Sequence, residues 1–256
     1  MKLLFLGDIV GSVGRQMVQE HLLKLQDEYK VDCTIINGEN AAHGKGITRR
    51  IYNQLCQFGV HAITMGNHTF SKGELFEFIY DAKKLVRPMN MAPLGMGQSI
   101  LVVEVLGKKI AVVNLCGSVF MDNIVRSPFD CMNEILSNTE ADMFFVDFHG
   151  EATSEKITFA HVYSDRCVAI CGTHTHVQTA DECILNGCAF ISDAGMCGAY
   201  DSVLGRDKNE VIQQMVYRQP TRYTIAQGPG VLCGVVITID DATNRACEIK
   251  RIQIRP

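Results

Sequence analysis

The chain lacks paired-cysteine motifs, glycine-rich nucleotide fingerprints and a strong charge of either sign, and each absence removes a class of protein. Eleven cysteines run from Cys33 to Cys247 without a single CxxC. Their number is odd and most sit in apolar runs such as VDCTII and CVAIC. They read as reduced core thiols of a cytoplasmic protein, not as a disulfide or zinc framework. No GxxxxGK[ST] occurs, and GDIVGSVG departs from GxGxxG, so the common phosphate-cradling loops are missing. A net charge of -4 excludes a chain that holds nucleic acid or a membrane by electrostatics alone. The opening MKLLFLGDIVGS offers too short an apolar stretch for a signal peptide or a membrane span.

What is present is an ordinary globular composition, 47% hydrophobic and 20% charged over 256 residues. That length buries a sizeable core without staples. The first half alternates apolar runs with amphipathic stretches. KLLFLG (2–7), VDCTIING (31–38) and VHAITMGN (60–67) read as strands. Between them, a helix from about Arg15 to Tyr29 has Val18, Leu22 and Leu25 at helical spacing. Thr48 caps a second helix that stops at Gly59, and Ser71 opens a third that ends near Lys84. This rhythm predicts a parallel sheet flanked by helices. The second half is richer in strands. SILVVEVLGKKIAVVNLCG (99–117) predicts a hairpin turning at Gly107 and Lys108. ADMFFVDFHG, RCVAICGTHTH and CAFISDAG are apolar strands, and residues 230–254 form a last hairpin. No repeat or long linker interrupts the chain, which reads as one α/β domain, 1–256, with two sheets.

Polar residues gather where the strands end. Five strands finish in short motifs that carry Asp8, then Glu39 and Asn40, then Asn67 and His68, then His149, then His174 and His176. Strand ends of an α/β sheet form the usual ligand crevice, so these side chains are expected to converge. Carboxylate, carboxamide and imidazole donors suit iron, manganese, magnesium or zinc. His174 and His176, two apart in an extended segment, would point to one side and serve two adjacent ions, with Glu39 bridging. Taken singly, each residue is a helix cap, a turn former or a hydrogen-bonded structural histidine; the set of five carries the reading. His21, His61 and His161 read as structural, and His43, Lys45, Arg49 and Lys156 as surface groups.

GDIVGSVGR, NGENAAHGKGIT, GNHTF, DFHGEATSEK and GTHTHVQTAD resemble the calcineurin-like metallophosphoesterases, and within them the YmdB-like branch. The resemblance runs from residue 7 to residue 181. It implies a four-layer α/β/β/α sandwich with mixed sheets and a centre of two divalent or mixed-valence metal ions, iron or manganese foremost. It assigns Asp8 and His176 to one ion and Asn67, His149 and His174 to the other, with Glu39 between them. The wider superfamily has a histidine where this chain has Val10, and Asn40 is the neighbour placed to fill the gap. The implied activity opens 2′,3′-cyclic nucleotides to 3′-nucleotides, which a metal-activated hydroxide would perform. His68, adjacent to Asn67, is expected to protonate the leaving oxygen, since a histidine's reference pKa of about 6.5 lies near working pH. Other readings are a phosphomonoesterase or pyrophosphatase on the same centre, and a regulatory protein that binds nucleotides or RNA ends and hydrolyses them weakly. The expected partner is a nucleotide and not a membrane. The apolar segment 85–97 offers either a homo-oligomer interface or packing on its own domain.

Overall fold

A computed structural model describes residues Met1–Pro256. In chain order it has β1 (Lys2–Ile9), α1 (Gly11–Tyr29), β2 (Cys33–Asn37), α2 (Arg49–Gln57), β3 (Ala62–Thr64), α3 (Leu75–Phe78) and β4 (Leu85–Val86). There follow β5 (Ile100–Val105), β6 (Lys108–Cys116), α4 (Pro128–Asn138), β7 (Met143–His149), α5 (Thr153–Tyr163) and β8 (Ala169–Thr173). The last part holds β9 (Cys183–Leu185), β10 (Cys188–Ile191), β11 (Met196–Ala199), α6 (Lys208–Met215), β12 (Gly230–Asp240) and β13 (Arg245–Ile254).

The strands form two mixed sheets. One has seven strands in the order β13-β12-β11-β1-β2-β3-β4, the other six in the order β5-β6-β7-β8-β10-β9. Alternation along β1 shows why they stack. Leu3 and Phe5 enter a core shared with Ile35, Val112 and Phe145 between the sheets. Leu4 and Leu6 face the other way, into a core with Leu22 and Leu25 of α1 and Leu55 of α2. On the far face of the second sheet, Val113 and Val146 pack on Ile135 of α4 and Phe159 of α5. The layers are therefore α/β/β/α, as the resemblance implied.

Local differences from the sequence reading have physical causes. α1 begins at Gly11 rather than near Arg15. Glycines disfavour helix, but Gly14 lies so close to β11 that a Cβ would come within 2.1 Å of the Cys197 carbonyl oxygen. Tertiary packing overrides the propensity. The helix expected from Ser71 to Lys84 is reduced to a 3-10 turn, Thr69–Ser71, and the short α3, because Lys72 is extended and Gly73 follows it. The hairpin of β5 and β6 turns at Leu106 and Gly107, both with positive φ, and Lys108 already pairs with Val105. Two left-handed central residues match the right-handed twist of the flanking strands. Thr48 caps α2 as expected, accepting from the Ile51 N–H.

Candidate metal centre

The C-terminal ends of β1, β2, β3, β7 and β8 meet at one edge of the sandwich. Asp8 lies one residue before the end of β1, and His149 is the last residue of β7. Glu39 and Asn40 follow β2, Asn67 and His68 follow β3, and His174 and His176 follow β8. Ligand atoms of Glu39, His149 and His174 lie within 4.8 Å of one another, and so do those of Asp8, Glu39 and His176. Glu39 belongs to both groups. Gly66 makes room for it: a Cβ there would stand 2.4 Å from Glu39 Oε2 and 2.5 Å from the His149 ring.

Hydrogen-bond directions show what this arrangement is built to hold. His176 Nδ1 donates to the Leu204 carbonyl at 3.0 Å, which leaves a bare lone pair on Nε2. That Nε2 faces Asn40 Oδ1 at 3.2 Å, while Asn40 Nδ2 is committed to the Gly44 carbonyl. His174 Nε2 donates to Glu151 at 3.0 Å, so its Nδ1 presents a lone pair. The Thr173 hydroxyl donates to Asp147 at 2.6 Å and therefore accepts from His149 Nδ1–H at 2.9 Å. His149 Nε2 is left as a lone pair facing His174 Nδ1 at 3.1 Å, Asn67 Oδ1 at 2.9 Å and Glu39 Oε2 at 3.3 Å. Burial pushes both His149 and His176 below the usual histidine range, so neither carries an extra proton near neutrality. Acceptors facing acceptors at such distances suit a cation between them.

Charge points the same way. Asp8, Glu39, Asp147 and Asp193 are all buried, against one buried ammonium, Lys156. Burial first, then neighbouring Asp193, pushes Asp8 up to about 8. Burial, then Asp8, raises Glu39 well above the usual carboxylate range. Asp8 Oδ1 is buried without any hydrogen-bond partner. Unpaired buried carboxylates are costly, and divalent cations remove the cost. The donors, oxygen and imidazole without thiolate, fit such ions.

Two expectations need correction. The segment after Thr173 is not extended: His174 and His176 both have positive φ, 103° and 67°. They still reach the two donor groups, but through a strained turn of the kind that persists where surrounding structure holds it. Lys156 is not a surface charge. It is 2% exposed, donates to Asp193 at 3.0 Å and to the Thr173 carbonyl at 2.9 Å, and so braces that turn from below. Asp193 also accepts from the Thr175 N–H and hydroxyl.

The sequence reading missed Asp147, Thr173 and Glu151. Asp147 accepts from Thr173, Thr64 and Asn37, pinning the two sheets together below the donors. A signal existed, because Asp147 stands two residues before His149 on a strand and shares its face. His43 is exposed, and His61 is held by the Thr34 N–H, consistent with non-site roles. A cleft of about 360 Å³ opens over the donors, lined by Glu39, His68, His174, Arg206, Met215 and Tyr223 among others. A wider hollow at Arg49, Gln54 and Glu74 is wholly polar and holds no such cluster.

Two stacked mixed sheets, outer helices and this donor set at the strand ends define a metallophosphoesterase-type hydrolase. More narrowly, the chain belongs to the YmdB-like protein family, whose model matches residues 4–252. It is 49% identical to a 2′,3′-cyclic-nucleotide 2′-phosphodiesterase of Bacillus subtilis, over 99% of this chain and 97% of that one. A crystal structure of a novel phosphatase from Mycoplasma pneumoniae superposes with a TM-score of 0.95 at 35% identity, covering 100% of this chain and 93% of that chain. A hypothetical protein from Thermus thermophilus superposes with a TM-score of 0.92 at 34% identity, covering 100% of this chain and 99% of that chain.

Proposed function

We propose that this chain is a metal-dependent phosphodiesterase that hydrolyses 2′,3′-cyclic nucleotides to 3′-nucleotides. The observation that carries the reading is the sharing of Glu39 between two donor groups under one open cleft. The name of the B. subtilis relative supports the substrate. Asp8, Asn40 and His176 would hold one ion and Asn67, His149 and His174 the other, with Glu39 bridging. Two divalent cations there would supply Lewis-acid charge and lower the pKa of a water toward neutrality. The rest belongs to the chain. Glu151, Leu204 and Thr173 fix the histidine tautomers, and His68, in the cleft wall, delivers a proton to the departing ribose oxygen. Burial, with Lys45 nearby, pushes the His68 imidazole down to about 4 in the free protein. For His68 to act in this way, that value has to rise in the substrate complex.

Iron or manganese are the ions the family resemblance implies; the oxygen and imidazole donors accept them, as they accept magnesium or zinc. Eleven free cysteines, eight of them buried, support a cytoplasmic location. No helix is long and apolar enough to cross a membrane. RNA ends with a cyclic phosphate present the same group to the cleft as a free nucleotide. The phosphatase name of the M. pneumoniae structure keeps phosphomonoesters as a second reading.

The test is hydrolysis of 2′,3′-cyclic AMP, beside 3′-AMP and pyrophosphate, by chelated and then manganese- or iron-reconstituted protein. Metal-dependent appearance of 3′-AMP is expected. Monoester cleavage without ring opening would replace the diesterase reading with the phosphatase one.

A further inference from the structure

The cleft over the metal donors has two unlike halves. Glu39, His68, His174 and Arg206 make one half polar. Val203, Leu204, Val211, Met215 and Tyr223 make the other, and all five come from one stretch between β11 and β12. Met215 is 73% exposed and Leu204 47%. Single exposed apolar side chains mean little, but here they share one wall with a phosphate-sized polar site.

This stretch is a built surface. Val203 and Arg206 exchange backbone hydrogen bonds, and Arg206 bridges to Ile225. Asp207 caps α6 through the Asn209 and Glu210 N–H groups. The Glu210 carboxylate then accepts from the Thr224 N–H at 2.5 Å and the Thr224 hydroxyl at 2.9 Å. The Thr221 hydroxyl donates to the Glu210 carbonyl at 3.0 Å. The segment that carries Tyr223, between these two threonines, is thereby tied to α6. The Leu204 carbonyl that accepts from His176 ties the apolar wall to the metal side.

We propose that this wall is the base-binding subsite, with Tyr223 and Met215 taking the face of the nucleobase while the phosphate sits at the metal donors. The inference rests on the phosphodiesterase reading and extends it. An aromatic ring and a thioether hold flat rings by face contact. None of the five residues carries a carboxamide or carboxylate that could read a base edge. The wall therefore discriminates base from no base, and only weakly one base from another. Stacking is tolerant because every base offers a π-face.

The experiment compares kcat/KM of the reconstituted protein for 2′,3′-cyclic AMP, 2′,3′-cyclic CMP and base-free ribose 2,3-cyclic phosphate. The wild type is expected to prefer the nucleotides over the base-free ester by about tenfold or more, from stacking. The two bases should differ by less than about tenfold on the same grounds. In Tyr223→Leu the base-dependent ratio should fall toward one, mainly through KM, while Tyr223→Phe keeps it. An unchanged ratio in Tyr223→Leu, or strong discrimination between the two bases, would overturn the subsite. Calorimetric binding of 3′-AMP against ribose 3-phosphate reads the same preference without turnover. Absent hydrolysis with an intact, Tyr223-dependent preference would remove the phosphodiesterase reading and keep the base site.

Discussion

Asn40 Oδ1 and His176 Nε2 face each other at 3.2 Å with no proton between them. The amide nitrogen is committed to Gly44 and the other ring nitrogen to Leu204. Two lone pairs held so close suit a shared cation, the role proposed for them above. Asn40→Ala should weaken one ion and spare the other, whereas Glu39→Gln should weaken both, since one carboxylate serves both groups. Metal content after desalting distinguishes the two variants. A Glu39→Gln protein with two tightly held ions and full activity would remove Glu39 from the bridging position.

His68 lines the cleft, and its backbone N–H donates to Glu39 Oε2 at 3.0 Å. His68→Ala keeps that backbone bond and loses only the imidazole. Turnover should fall by about 100- to 10 000-fold, the range for a lost general acid, with metal content unchanged. Loss of metal instead would make His68 a structural support of the centre.

Thr173 hands the orientation of His149 to Asp147. Thr173→Val preserves the shape of the side chain and removes the hydroxyl, so His149 is free to adopt the wrong tautomer. Metal affinity or activity should drop about 10- to 100-fold, as for other partners that orient metal-binding histidines. Competition with a graded chelator series measures it; wild-type affinity in Thr173→Val would show that the hydroxyl is dispensable.

The buried Lys156–Asp193 pair has side chains 2% and 1% exposed. Lys156→Met leaves an uncompensated carboxylate and should destabilise the fold by about 3–5 kcal/mol. The double variant Lys156→Met with Asp193→Asn should recover much of that loss. Urea unfolding at fixed metal concentration decides it, and equal stability of single and double variants would contradict the pairing.

His61 is half-buried and accepts from the Thr34 N–H at 3.1 Å. Burial first, and then Lys84, lowers its pKa below the ordinary 6.5. Between those two values the unfolded chain binds a proton that the folded chain does not. The His61 contribution is therefore complete above about pH 6.5 and is lost as pH falls toward the folded value. Denaturation curves at pH 7.5 and 5.5 should show a smaller acid-induced loss for His61→Gln than for the wild type. Parallel losses would show that His61 does not titrate with folding.

The apolar run of β1, the Thr48 cap of α2 and the polar residues at five strand ends were legible in the sequence because each depends on near neighbours. Asp8, Glu39, Asn67, His149, His174 and His176 carried a readable pattern since a β-strand fixes which residue stands at its end. Lys156 was misread because its helix gives no hint of the sheet beneath it. The glycines opening α1 and the short α3 were misjudged for a related reason: propensity is a weak prior, and contacts with distant segments decide.

By itself, the sequence determined the period of its elements, the chemistry of its donors and its family, since all three are written in residue type and spacing. Only the tertiary structure decided which ring nitrogens keep a free lone pair, that Glu39 is common to two donor groups, and that Tyr223 shares a cleft with His68. Those facts depend on partners distant in sequence, such as Leu204, 28 residues from His176, and Asp147, 110 residues from Asn37, which come together only when the two sheets stack.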